Sequence, residues 1–212
     1  MTAHETKDPT RDVLIKAGRK LFAKHGLDGV TVRDIAQEAG VNVAAVSYHF
    51  EGKEGLYRAV IEEFAKEKQG EIRDQIGAAP KNADEYRFVF RMMVAKFLAD
   101  VMQTPEVCRI MMKEIDAGLP IAKDIFEKTM LENFNMIIGF HKNAQELGIV
   151  KRGLNPQVVA LMIQGIVFHL QRVEDVRKKF FKESMHDEKT QKDAVDTICE
   201  IFFDGMLVKA KE

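Results

Sequence analysis

Apolar residues recur at helical spacing along almost the whole chain, and the stops between them divide it into about nine helices. After Asp8-Pro9-Thr10, the residues Val13, Leu14, Ala17, Leu21 and Phe22 share one face until Gly26 ends the first helix. Thr31 then supplies an N-cap, with Asp34 three residues on completing a capping box. Ile35, Ala36 and Ala39 form the inward face of this short second helix, and Gly40 stops it where the chain needs a positive φ. A third helix is predicted over 43–49, apolar through Val46 and Phe50, with Asn42, Ala44, Ala45, Ser47, Tyr48 and His49 facing outward. The fourth runs from Lys53 past Lys68 on Leu56, Val60, Ile61 and Phe64, until Gly77-Ala78-Ala79-Pro80 breaks it. Further helices are predicted over 84–102, 105–117, 120–147, 155–182 and 191–208. No stretch alternates as a half-buried strand does, so the fold class is all-α.

The run from Gly29 to Leu56 has a mechanical rationale as a helix-turn-helix. Small, weakly charged residues face outward from its second helix, which suits a groove where long side chains would clash with base edges. An ordinary helical hairpin uses the same caps and glycine turn. The residues at the end of the run favour the DNA reading. Tyr48-His49-Phe50, then two residues, then Lys53 and Leu56-Tyr57, with the helix before Gly26, resemble the DNA-binding domain of the TetR family of bacterial transcriptional repressors. Asn42-Val43-Ala44-Ala45 further resembles a subgroup with an Asn-x-Ala-Ala recognition helix. The resemblance is close over the first quarter of the chain and architectural beyond it. It implies a helix-turn-helix domain over 1–55 and a helical effector-binding and dimerisation domain over 56–212. The DNA-binding set is then Thr31, Arg33, Asn42, Ala44, Ala45, Ser47, Tyr48, His49 and Lys53.

A formal net charge of −1 looks wrong for a DNA binder, but local charge decides. Lys7, Arg11, Arg33 and Lys53 gather near the motif as candidate phosphate contacts, whereas Glu62-Glu63 and Arg177-Lys178-Lys179 read as solvated helix surface. No apolar run approaches the roughly 18 residues of a membrane span, and Met1-Thr2-Ala3-His4-Glu5 lacks the start of a secretion signal, so the cytoplasm is expected. Cys108 and Cys199 sit in apolar helical patterns without C-x-x-C spacing, which favours buried thiols over a disulfide or metal site. The six histidines are scattered, with no H-E-x-x-H, phosphate loop or G-x-S-x-G, so neither an enzyme nor a cofactor or metal is expected.

Two apolar stripes carry an expectation of assembly. Val159, Met162, Ile163, Ile166 and Leu170 form one; Ile198, Ile201, Phe202 and Met206 form the other. Gly165 and Gly205 lie inside these helices, where close helix contact offsets the cost of glycine. A two-fold homodimer sealed by Met162, Ile166, Ile198 and Phe202 would supply it; an intrachain core is the alternative. Between the motif and these stripes, 11 methionines and no tryptophan in the chain point to adaptable lining. Met93, Phe97, Met111, Met112, Ile115, Met130, Phe134 and Ile138 are expected to enclose an apolar or aromatic effector, oriented by Glu114, Asn133 or His141. A regulator controlled by a protein partner, with a filled core, is the second reading.

Overall fold

The computed structural model describes residues 8–76 and 79–208, and of residues 67–75 the backbone alone. Lys7, the residues before it and the Gly77-Ala78 break lie outside the described residues. The described chain is helical: α1 Pro9–His25, α2 Val32–Ala39, α3 Ala44–Phe50, α4 Lys53–Ile76, α5 Ala83–Gln103, α6 Pro105–Asp116, α7 Lys123–Ile125, α8 Leu131–Glu146, α9 Pro156–Arg172, α10 Glu174–Val176 and α11 Glu188–Met206. Strand-like pairing among the described residues is limited to one isolated bridge, Val150 with Leu207. No helix is long and apolar enough to cross a membrane among the described residues.

Two long helices expected from periodicity are interrupted. The stretch 120–147 starts with a single turn, α7, passes through a π-helical turn at Phe126–Met130 and only then becomes α8. The stretch 155–182 stops at Arg172 and resumes as α10 and a second π-helical turn, Arg177–Phe181. Lys182 then takes φ 59°, and the chain returns under the carboxyl of Glu174, which accepts from Ser184 Oγ at 2.7 Å and from the Met185 amide. These bonds hold the Glu174 carboxyl below its ordinary pKa, against a burial that pushes the other way.

The described residues group into two compact units. One comprises the chain through Glu67 together with Glu106–Lys128; the other comprises Lys68–Pro105 and Thr129–Glu212. The core of the first is Leu14, Phe22, Ile35, Val46, Leu56, Tyr57, Val60 and Ile61, with Val107, Ile110 and Met111 from α6. A Cβ at Gly18 would sit 3.1 Å from Leu56, so this glycine lets α1 and α4 cross closely. The core of the second is aromatic: Tyr86 stacks on Phe140 at 5.0 Å, and Phe90 meets Phe203 at 5.3 Å and Phe202 at 5.8 Å. Ile198 and Phe202, expected at a dimer seam, are therefore buried in the chain's own core, because the inward stripe of α11 packs on α5. Cys108 and Cys199 are both buried and form no disulfide.

Candidate nucleic-acid interface

The helix-turn-helix is built by local chemistry. Thr31 Oγ1 accepts from the Asp34 amide at 3.2 Å, and Asp34 Oδ2 accepts from the Thr31 amide at 2.9 Å. The Thr31 hydroxyl also donates to Asp34 Oδ2, and this bond lowers the pKa of Asp34. Gly40 at φ 68° closes α2, with Val41 N–H reaching back to Ala36 O at 3.0 Å. Asn42 Oδ1 then accepts from the Ala44 amide at 2.9 Å and starts α3.

This places the expected contacts unevenly. Tyr48 is 85% exposed, and Ser47, Ala44 and Asn42 are exposed beside it on α3 and its entry turn. Arg33 on α2 is exposed, with no ion-pair partner among the described residues. Ala45 is half-buried. Thr31 is exposed, but its hydroxyl is spent on the cap. His49, expected to face outward, leans instead toward Asp8, with Nδ1 3.4 Å from Oδ2 and only 13% of its side chain exposed. Arg11, expected at a phosphate, is paired with Glu63 and lies over the Phe50 ring at 5.4 Å. Lys53 Nζ donates to Leu27 O at 3.0 Å and Val30 O at 3.2 Å, so it clamps the loop between α1 and α2.

A model of the bacterial regulatory proteins of the tetR family matches residues 14–60, which span α1 to the first turns of α4. The transcriptional regulatory protein RaaS of Mycobacterium tuberculosis is 30% identical over 165 residues, covering 76% of this chain and 71% of that protein. The chain belongs to the TetR family. It is accordingly a DNA-binding transcriptional regulator of an all-α fold, in a family of regulators and not of enzymes. A second TetR-type relative, the "Probable HTH-type transcriptional regulator YttP" of Bacillus subtilis, is 45% identical over 58 residues; the match covers 27% of this chain and only 28% of that protein's length. The ketosteroid transcriptional regulator KstR2 of Mycobacterium tuberculosis superposes with a TM-score of 0.74 over 99% of this chain and all of its own, at 19% identity, a likeness of fold.

Three interactions that the sequence did not reveal tie α6 and α7 into the DNA-binding unit. Arg58 on α4 forms a fork with Asp124 at 2.7 Å on both arms, and also donates to Ile121 O at 2.9 Å. The guanidinium holds the Asp124 carboxyl down at about 2. Glu114 on α6 is buried; its Oε2 accepts from the Ile121 and Ala122 amides, and its carboxyl hydrogen-bonds Tyr57 of α4. Burial first, and then the charge and hydrogen bond of Glu114, raise the Tyr57 phenol far above its ordinary pKa. Lys113 Nζ reaches Ala23 O of α1 at 3.1 Å.

The expected effector-lining residues divide between the units. Met93, Phe97, Met130, Phe134 and Ile138 are half-buried in the second, where Phe97 meets Phe168 edge-on at 5.6 Å. In the first, Met111 is buried, Met112 half-buried and Ile115 38% exposed. An open groove of about 510 Å³ on the second unit is lined by Arg87, Phe88, Arg91, Asp196, Glu200 and Phe203; it shares no residue with the expected lining. On α9 and α11 the exposed apolar residues are Val158, Leu161, Met162 and Ile201, while Ile166 is half-buried.

Proposed function

We propose that the chain is a ligand-responsive repressor that binds a palindromic operator as a homodimer in the cytoplasm and releases it when a small apolar effector occupies the helical domain. The division of labour is DNA binding by 1–55, effector binding and dimerisation by 56–212. The observation that carries the DNA reading is a small, exposed α3 face around Tyr48 on a helix-turn-helix whose inward residues Ile35, Ala36, Val46 and Phe50 are buried. Tyr48, Ser47, Ala44 and Asn42 read base edges or thymine methyls, while Arg33 contacts phosphate or guanine. Lys53 keeps one hydrogen for phosphate while its other bonds shape the loop beside the recognition helix.

The dimer face shifts from Ile198 and Phe202 to the exposed apolar side of the same helices: Leu161 and Met162 of α9, with Ile201 of α11 and Ile166 at the margin. Among the described residues nothing lies within 4 Å of a Cβ built at Gly165 or Gly205, so contacts within the chain do not account for these glycines, and a second copy does. The effector set remains Met93, Phe97, Met111, Met112, Ile115, Met130, Phe134 and Ile138. Because Lys113 ties α6 to α1, and Glu114 ties it to the start of α7, which Arg58 holds on α4, an effector that displaces α6 also displaces α3. It acts only through a higher affinity for the released state.

The test is a titration of candidate apolar effectors against a labelled operator complex, with wild type and Met112→Trp side by side. Release of wild type at effector concentrations that leave the filled variant bound supports the reading. Equal release places the effector elsewhere, and insensitivity to every small molecule alongside release by a protein favours a protein-controlled regulator.

A further inference from the structure

Three of the described side-chain polar atoms in the second unit are buried without a partner; one of them, Arg177 Nε, belongs to a guanidinium that already pairs with Glu183, which leaves His141 and Asn133. His141 is 1% exposed and its Nε2 has no hydrogen-bond partner; Asn133 is 8% exposed and its Oδ1 has none. Both stand on α8. Buried polar side chains are paired as a rule, because an unmade hydrogen bond keeps the full cost of desolvation. The two described buried carboxyls follow the rule: Glu114 accepts from the Ile121 and Ala122 amides, and Glu174 from Ser184 Oγ and the Met185 amide. The exceptions on α8 mark groups waiting for something absent from the chain itself.

Their chemistry can be assigned. Tyr86 OH lies 2.8 Å from His141 Nδ1. Burial raises the Tyr86 phenol above its ordinary pKa and pushes the His141 imidazole down to about 4, so both are neutral. If the phenol donates to Nδ1, the ring proton sits on Nε2 and one donor is left unused. The opposite assignment strands both the phenol hydrogen and the Nε2 lone pair, so the first is favoured. His141 therefore offers an N–H, and Asn133 offers a carbonyl oxygen. Eight residues separate them on a regular helix, a rise of about 12 Å. The side chains between them include Phe134, Ile137, Ile138 and Phe140, all apolar and none exposed. No Lys or Arg is among the buried side chains described, so a carboxylate would enter without a cationic counterpart.

We propose that His141 and Asn133 are the polar recognition groups for the effector, and that the effector is an uncharged molecule with an apolar body about 12 Å long, an accepting oxygen at one end and a donating hydroxyl or N–H at the other. The inference rests on the reading that the helical domain binds a small molecule, and adds its chemical class. Glu114 has no part in it, since its carboxyl is committed to Tyr57 and to the backbone.

The test uses 10-hydroxydecan-2-one, with undecane and 10-hydroxydecanoate as controls, and the full-length protein labelled with ¹⁵N-histidine. The hydroxyketone is expected to move the His141 Nε2 resonance and to bind about tenfold more tightly than either control. His141→Phe and Asn133→Leu should each weaken the hydroxyketone about tenfold and leave undecane within twofold; Asn133→Leu should unfold at no lower temperature than wild type, whereas His141→Phe also strands the Tyr86 hydroxyl and should lose some stability. Where a variant fails to fold, the wild-type resonance decides. An unmoved resonance, equal binding of hydroxyketone and undecane, or an ordered water on Nε2 that the hydroxyketone does not displace overturns the proposal. Release of the operator by undecane with no preference for polar ends overturns this recognition while leaving ligand response standing. Failure of every probe to bind overturns it as well.

Discussion

Glu114→Leu removes one carboxyl and strands three donors: the Ile121 and Ala122 amides, at 3.2 and 3.1 Å, and the Tyr57 hydroxyl. All lie in or beside a core in which Glu114 is 4% exposed and Tyr57 3%, so water replaces little of what is lost. Stranding a buried donor costs about 1–3 kcal/mol, and three sharing one site lose roughly 3–5 kcal/mol together, a large part of the about 5–15 kcal/mol that holds a domain of this size. Glu114→Gln is the control. Both amides converge on Oε2, so a carboxamide oxygen keeps them and its NH₂ can donate to the Tyr57 oxygen; about 1 kcal/mol is expected. Urea unfolding followed by circular dichroism at constant m reads both values, and operator binding should fall with the Leu variant in proportion to the unfolded fraction or beyond it. Equal destabilisation by Leu and Gln, or less than about 1 kcal/mol for Leu, would refute the claim that this carboxyl welds α6 and α7 to α4.

Tyr48→Ala should leave the unfolding midpoint nearly unchanged and cost about 1–3 kcal/mol of operator affinity by fluorescence anisotropy, since the side chain is largely exposed and meets only the edge of the neighbouring His49 ring, at 4.9 Å, among the ring contacts described. Lys53→Ala should do two things at once: destabilise the head by about 1–2 kcal/mol in urea unfolding and lower the salt slope of DNA binding by about one unit. A His141 pKa depressed from 6.5 to about 4 means the unfolded state takes up the proton first. Its stability contribution is full above pH 6.5 and is lost as pH falls toward 4, about 3 kcal/mol in all, and acid titration of His141→Phe should lack that loss. Leu161→Glu should give monomers by sedimentation with helicity intact, whereas Phe202→Glu should unfold the chain.

What was legible in the sequence is what neighbours along the chain decide. Thr31 with Asp34, Gly40 before Val41, and the spacing of Ile35, Val46 and Phe50 fix the two helices of the motif by caps, one left-handed residue and one apolar face. The rest depends on partners far away. Arg58 and Asp124 are 66 residues apart, and nothing local marks either as one arm of a fork. The stripe of α11 was visible, yet periodicity cannot say whether Ile198 and Phe202 meet α5 or a second copy. Apolar spacing also runs unbroken through Phe126–Met130, because a π-helical turn shifts the register by one residue without changing residue type.

Selection of bound sites from random duplex DNA tests the central claim most directly, with wild type and Tyr48→Ala run in parallel. The account predicts a palindrome whose half-sites are separated by about one or more helical turns, recovered by wild type and lost or blurred with the variant at positions α3 reads. Recovery of no preferred sequence, or of the same palindrome with equal affinity when Tyr48 is absent, would contradict it.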